Sequence, residues 1–367
     1  MTNAVDGKEA KMVHYVLPSV QGEPKLERHC PHCGRPNGRI HSAVRHRPIS
    51  DLKVTSIPQR RMRCPYCGVT WTLRPTGVSP GCHRSRRLIG IGVVLYMLGL
   101  SYRAVQAFLP LLDCRGGKSS IERDIRAAGQ CALDLHQRAP KMRVRVLGVD
   151  GTGAAMAGRD AGILFFVGVG PEGGLIEVKA VHEEQTVQVR AHVQRVMAVV
   201  QAEELRTDEH PVYDGIVPDG HHRLCLTHWR KSKGKRAFDL HRQAIAEGAV
   251  LEAQTLQELL ALLRKKPRAP TVPEELERLV RRYIHARKGL PWKVNQLLQH
   301  VERTWAKVSD DPVDPTNNMT ERMIGLTFKI RSKTMRGFKA MHKVLAHPYL
   351  GFYLRGRAKV CDLCQII

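Results

Sequence analysis

Two five-residue motifs constrain this chain more than any other feature: Cys30-Pro-His-Cys33-Gly34 and Cys64-Pro-Tyr-Cys67-Gly68. Each Cys-x-x-Cys turn aims two thiolates at one point. The glycine accepts backbone angles that a side chain resists. Four thiolates match the tetrahedral preference of a structural Zn²⁺. The interval between the motifs reads as short strands, Ile40–Val44 and Leu52–Ile57, with Arg60–Arg63 leading into the second motif. We expect a zinc ribbon over residues 26–80, with one Zn²⁺ held by Cys30, Cys33, Cys64 and Cys67. Residues 1–25 read as an irregular leader. Cys361 and Cys364 lack a partner pair and a glycine, and read as thiols at a frayed end.

Charge narrows the partner. The chain of 367 residues carries 59 Lys and Arg against 34 Asp and Glu, a net charge of +25. Such a surface attracts phosphate backbones or anionic membranes. Its longest apolar run, Leu88–Leu100, is too short to span a bilayer. The opening stretch MTNAVDGKEAKMVHY contains acids and no apolar segment, so it does not read as a signal peptide. Ten cysteines without such a segment argue against a disulfide framework. A nucleic acid is the expected partner and the cytoplasm the expected location. Arg45, Arg47, Arg60, Arg61 and Arg63 make the ribbon itself basic.

Residues 83–140 read as helices, over Leu88–Leu98, then Tyr102–Leu109 with Ser101 as N-cap, then a third opened by a capping box at Ser119-Ser-Ile-Glu122. Ile121, Ile125, Ala128 and Leu135 share one face of the third helix and leave Arg123 and Arg126 outward. Short helices, a glycine turn and a basic third helix resemble a helix-turn-helix, with Arg123 and Arg126 as candidate DNA contacts.

From Arg143 the pattern turns to strands, Arg143–Val149, Gly162–Gly170 and Leu175–Val181, with Pro171–Gly174 as a hairpin turn. A helix follows over Glu184–Glu204, with Val189, Val193, Val196 and Val200 at helical spacing. Asp150 stands where the first strand should end, before Gly151-Thr152-Gly153. A carboxylate there is rigidly held and still reaches solvent, which suits a metal ligand; alone it suits a turn equally well. A fourth strand should end near Asp208, although Ala202–Thr207 is polar and scarcely β-forming, and Asp214 and Asp219 are rivals. His221–His228 alternates like a further strand and carries Cys225-Leu-Thr-His228, a spacing with no second ligand pair to complete a zinc site.

Residues 231–311 read as an all-helical insertion. Its apolar stripes are Leu256, Leu259, Leu260 and Leu263; Leu276, Leu279, Val280, Tyr283 and Ile284; and Val294, Leu297, Leu298, Val301 and Trp305. Beyond it, Asn317 or Asn318 can cap a helix that places Glu321 in its first turn. Glu321 is the last acid before a long basic segment.

Taken together, Asp150, Asp208 and Glu321 sit at two strand ends and a late helix start, the layout that gathers three carboxylates on one sheet edge. Three carboxylates can hold two Mg²⁺ for in-line displacement at phosphorus. The chain here resembles a bacterial insertion-sequence transposase of the Asp-Asp-Glu class, with a ribonuclease-H-like core. The matching pieces are VLGVDGT around Asp150, TDEHPVY around Asp208, CLTHW, and TNNMTER, KIRSK and RGFK around and after Glu321. The ribbon, the helix-turn-helix and the helical insertion add to the likeness, which covers roughly residues 26–345.

The resemblance implies a multidomain α/β chain. Its parts are a ribbon (26–80), a helix-turn-helix (83–140), a ribonuclease-H-like mixed five-stranded sheet with helices in two parts (143–230 and 312–345) around the insertion (231–311), and a basic tail (346–367). Asp150, Asp208 and Glu321 become catalytic ligands of two Mg²⁺, replaceable by Mn²⁺. Cys225 and His228 become an accessory motif, and Lys329, Arg331 and Lys333 candidates for holding DNA ends. The implied activity is binding of double-stranded DNA at terminal inverted repeats, hydrolysis to a 3′-OH, and strand transfer into target DNA by a synaptic dimer or higher assembly at the nucleoid. Two alternatives stay open: a DNA-binding regulator with an idle core, and a Mg²⁺-dependent nuclease without strand transfer.

Overall fold

The computed structural model describes residues 14–156, 159–170, 173–181, 185–218, 220–265, 271–308, 317–334, 338–355 and 360–367. The chain falls into two compact units, Met1–Ala139 with Leu326–Ile367, and Pro140–Gly325.

The first unit opens with β1 (His14–Val16) and a small antiparallel sheet of β2 (Arg39–Ile40), β3 (Arg45–Pro48), β4 (Ser56–Arg63) and β5 (Thr70–Leu73). β4 pairs with the other three. One long strand therefore stands where two short ones were expected at 52–57 and 60–63. Asp51 explains the late start. Its carboxylate accepts the N–H groups of Lys53 at 2.9 Å and Val54 at 3.3 Å, which turns the chain before the ladder begins.

Helices α1 (Arg86–Met97), α2 (Tyr102–Phe108) and α3 (Lys118–Arg138) follow. Ser101 caps α2 as expected, accepting from Ala104 N–H at 3.1 Å. α3 departs from expectation: it starts at Lys118 with Gly117 as N-cap, so Ser119 lies inside the first turn and the capping box does not form. Ile121, Ile125 and Ala128 are buried on one face, Leu135 is half-buried, and Arg123 and Arg126 are exposed.

The second unit is built on β6 (Val146–Met156), β7 (Arg159–Val169), β8 (Leu175–Ala180), α4 (Thr186–Val200), β9 (Glu204–Thr207) and β10 (His222–Leu224). The five strands form one mixed sheet in the order β10-β9-β6-β7-β8. β6, β9 and β10 run parallel, while β6, β7 and β8 alternate. Val189, Val193, Val196 and Val200 of α4 bury against Leu147, Val149, Leu164 and Phe166 of the sheet.

Two readings need correction here, those of β6 and of the strand at 221–228, while the expected fourth strand before Asp208 forms. β6 does not stop at Asp150; Gly151-Thr152-Gly153 continue the ladder opposite Leu164, Ile163 and Gly162. Glycines that would end an isolated strand are carried by eleven paired residues on β7. Ala202–Thr207, polar as it is, yields β9, and Leu205, Arg206 and Thr207 are buried between two partner strands. Finally, the expected strand His221–His228 is cut to His222–Leu224, because Cys225 becomes the N-cap of a helix. The β7–β8 hairpin forms; residues 171–172 of its turn lie outside the described residues, as does Asp219.

α5 (Leu226–Ala246), α6 (Val250–Leu262), α7 (Val272–Arg281) and α8 (Gly289–Trp305) form the helical block. The three expected stripes meet in one core, with Ile284 as an exception at 51% exposure. α9 (Asn318–Ile324) ends the second unit.

The chain then returns to the first unit through a π-helical turn (Gly325–Lys329), α10 (Ile330–Ser332), α11 (Met341–Arg355) and β11 (Val360–Asp362). The end of the chain is not frayed, since β11 pairs in parallel with β1 and buries Cys361 and Leu363. The expected leader likewise contributes β1. Among the described residues no helix is long and apolar enough to cross a membrane.

Candidate functional site

Two groups of potential metal ligands occur among the described residues. The first is the expected one. The Sγ atoms of Cys30, Cys33, Cys64 and Cys67 lie within 4.8 Å of one another, with Cys30–Cys67 and Cys33–Cys64 each at 3.6 Å. Tetrahedral Zn²⁺ with bonds of about 2.3 Å separates its sulfurs by about 3.8 Å, so the donor set fits. Each knuckle closes by a backbone bond, Gly34 N–H to Cys30 O at 2.9 Å and Gly68 N–H to Cys64 O at 3.1 Å. Gly34 at φ 69° and Gly68 at φ 74° are left-handed, as the motif requires. The thiols divide without a metal, since burial and the three neighbouring sulfurs push Cys67 up to about 12. The backbone N–H of Cys67 lowers the Cys64 thiol to about 6, and that of Cys33 lowers Cys30.

The second site is built where the five-stranded sheet meets α5 and α9. Asp150 sits on β6 opposite Phe165. Asp208 follows β9 directly, and its Oδ1 accepts the N–H of His210 at 3.2 Å. Glu209, which sequence reasoning did not single out, pairs with Lys233 of α5 at 2.6 Å and His300 of α8 at 2.5 Å. That pairing ties the Asp208 turn to the helical block. Glu321 stands in the first turn of α9, and its Oε1 lies 3.5 Å from His228 Nε2 in the first turn of α5.

Asn317 and Thr320 hold α9 in place. Asn317 is the N-cap residue, yet its side chain does not cap; its Nδ2 donates to Val149 O on β6 at 3.1 Å. Its Oδ1 accepts the Thr320 hydroxyl at 2.6 Å, and its backbone N–H donates to Cys225 Sγ at 3.2 Å. One residue thus links the strand before Asp150, the helix of His228 and the helix of Glu321. Gly148 makes the approach feasible, because a Cβ there would lie 2.4 Å from Thr320 Oγ1. The Asn-Asn-x-x-Glu pattern was the sequence signal for this clasp, but as a helix start rather than a strand tie.

Electrostatics tie the acids together. Burial, then the Asp208 charge, push the Asp150 carboxyl up to about 6; His228 opposes and Glu321 adds to the rise. Asp150 is thus buried within electrostatic reach of Asp208 and of Glu321, whose side chain is 38% exposed. They do not all lie within 4.8 Å of one another, whereas Cys225, His228 and Glu321 do. The rival Asp214 is 66% exposed at its side chain and faces Lys307 at 3.8 Å.

The DNA-contact candidates all fall in the first unit. Arg123, Arg126 and Lys333 are exposed and Lys329 is half-buried. Arg331 corrects the expectation of a DNA contact: it is 3% exposed, its guanidinium lies 4.1 Å from the Tyr96 ring centroid, and it donates to Gly99 O at 3.0 Å. Its charge is committed to the interior. No family model matches this chain, and no curated protein matches it.

Proposed function

We propose that the protein is a DNA transposase of the Asp-Asp-Glu class, with a ribonuclease-H-like core in the second unit and DNA-end recognition in the first. The observation that carries this reading is the perturbation of one buried carboxyl, Asp150, by Asp208 and Glu321, residues distant in sequence. Mutually repelling acids gathered at a sheet edge are a cation-binding arrangement, and their spread beyond one ion's shell suits a pair of cations. All donors are oxygens, which selects Mg²⁺ or Mn²⁺.

In this reading Asp150, Asp208 and Glu321 hold the metals. Bound magnesium supplies Lewis-acid charge for the attacking and leaving oxygens at phosphorus. The chain's own part is placement. β6 and the turn after β9 fix two carboxylates on rigid backbone, and the Asn317 clasp sets the third. His228 orients the Glu321 carboxylate from the side. The terminal inverted repeats would bind the ribbon and the three-helix segment, and water and then the freed 3′-OH would act in turn as nucleophile.

The test is Mg²⁺-dependent cleavage and strand transfer on DNA carrying the ends of the element that encodes the protein. Asp150→Asn and Glu321→Gln should each lose more than ~100-fold in cleavage rate, since even outer partners of a metal ligand contribute 10–100-fold, with DNA affinity unchanged. Wild-type rates in both variants would overturn the assignment. Cleavage without a strand-transfer product would reduce it to a nuclease.

A further inference from the structure

Beside the carboxylate corner lies a donor set of different chemistry. Cys225 Sγ, a ring nitrogen of His228 and a carboxylate oxygen of Glu321 lie within 4.8 Å of one another. Cys225 is 1% exposed, and the Asn317 N–H bond at 3.2 Å fixes the direction of its sulfur. His228 Nδ1 and Glu321 Oε1 are buried atoms with no hydrogen-bond partner among the described residues. The His228 and Glu321 side chains are 39% and 38% exposed, so the donor set borders solvent. Sulfur, imidazole and one carboxylate are the ligand classes of zinc, cobalt and nickel, and three protein donors suffice for a site that still exchanges. Magnesium, which asks for an oxygen shell, does not favour the sulfur.

We propose that Cys225, His228 and Glu321 form a second transition-metal site, taking Zn²⁺ or a similar borderline cation, which withdraws Glu321 from the carboxylate corner and so holds catalysis off. Binding expels the thiol proton to solvent and leaves Asp150 and Asp208 without their third partner. The metal site stands on its own geometry; only its inhibitory effect rests on the transposase reading.

Full-length protein with zinc already in the ribbon is titrated with Co²⁺, and absorption from thiolate-to-cobalt charge transfer is recorded. Wild type should take up one equivalent beyond the ribbon and show the band. Cys225→Ser should lose the band. His228→Gln, at a half-exposed position that leaves the core intact, should bind Co²⁺ more than ~100-fold more weakly. Asp150→Asn should bind as wild type does. An unchanged spectrum in both Cys225→Ser and His228→Gln, or no equivalent beyond the ribbon in wild type, would overturn the site. Cobalt binding needs neither DNA nor cleavage, so a protein that binds cobalt but, with the second site empty, cuts nothing in Mg²⁺ defeats the transposase reading alone. In a cleaving protein, Zn²⁺ at ten times its dissociation constant should slow the Mg²⁺-dependent wild-type rate about tenfold, with the loss following occupancy of the site. Cobalt binding with no zinc inhibition would remove the inhibitory role.

Discussion

The Asp150 carboxyl sits at about 6 because burial and the charges of Asp208 and Glu321 both oppose its ionisation. An unfolded chain releases that proton near 3.9. Between these values the folded protein binds more protons than the unfolded one, so its stability falls as pH rises from about 4 to about 6 and stays lower above. A shift of about 2 units corresponds to about 3 kcal/mol at neutral pH. Asp150→Asn should therefore stabilise the second unit by up to about 3 kcal/mol at pH 7 in magnesium-free buffer, and by nothing near pH 4. Urea unfolding followed by tryptophan fluorescence reads this, since Trp229, Trp292 and Trp305 all lie in that unit. An advantage that does not grow with pH would place the charge conflict elsewhere. At this scale the sequence was informative where chemistry is carried by residue type and spacing, as in the four cysteines. It was silent on Glu209, and wrong on Arg331, because a lysine or arginine in a basic run looks the same whether it faces solvent or stacks on a tyrosine.

Elements were legible where periodicity is strong. The valines of α4 and the leucine stripes of α6, α7 and α8 set those helices within a few residues. What was less legible is mostly pairing that no short window of sequence records. β6 runs through Gly151 and Gly153 because β7 supplies its partners, and β9 forms from polar residues because β6 and β10 flank it. β1 and β11 find each other across nearly the whole sequence. None of these ladders leaves a mark within a short window. The contact of α9 with β6 is of the same kind, and it makes a sharp prediction. Gly148→Ala puts a methyl within 2.4 Å of Thr320 Oγ1 and 2.8 Å of Asn317 Oδ1. The helix must lift, at about 1–3 kcal/mol, and Glu321 moves with it. Cleavage should fall further than the stability loss alone accounts for. Adding Thr320→Ala should recover part of both, with a coupling of about 0.5–3 kcal/mol. Additive effects in that double mutant would mean the strand and helix do not communicate through this contact.

Charge divides the molecule unevenly. Of the 59 Lys and Arg and 34 Asp and Glu, 31 and 10 fall in the first unit, leaving 28 and 24 in the second. The excess that points to a phosphate backbone therefore belongs almost wholly to the unit with the ribbon and the three-helix segment, while the near-balanced unit contains the acids. This division matters because acids that gather cations gain nothing from a strongly positive surround, whereas DNA capture does. Under the proposed DNA binding, the salt-sensitive part falls to the first unit. Each phosphate neutralised contributes about 0.9 to the slope of log affinity against log salt. Arg123 and Arg126 are exposed on α3, with Ile121, Ile125 and Ala128 buried on its opposite face. If both contact phosphate, Arg123→Ala with Arg126→Ala should reduce the slope by about 1.8 and weaken binding at low salt most. The same double substitution should leave urea unfolding of the second unit unchanged, because neither residue belongs to it. A slope equal to that of wild type would move the DNA-binding surface off α3 and onto the ribbon or the basic segment after Glu321. Replacing Arg45, Arg61 and Arg63, all exposed on the ribbon, then becomes the deciding measurement between those two.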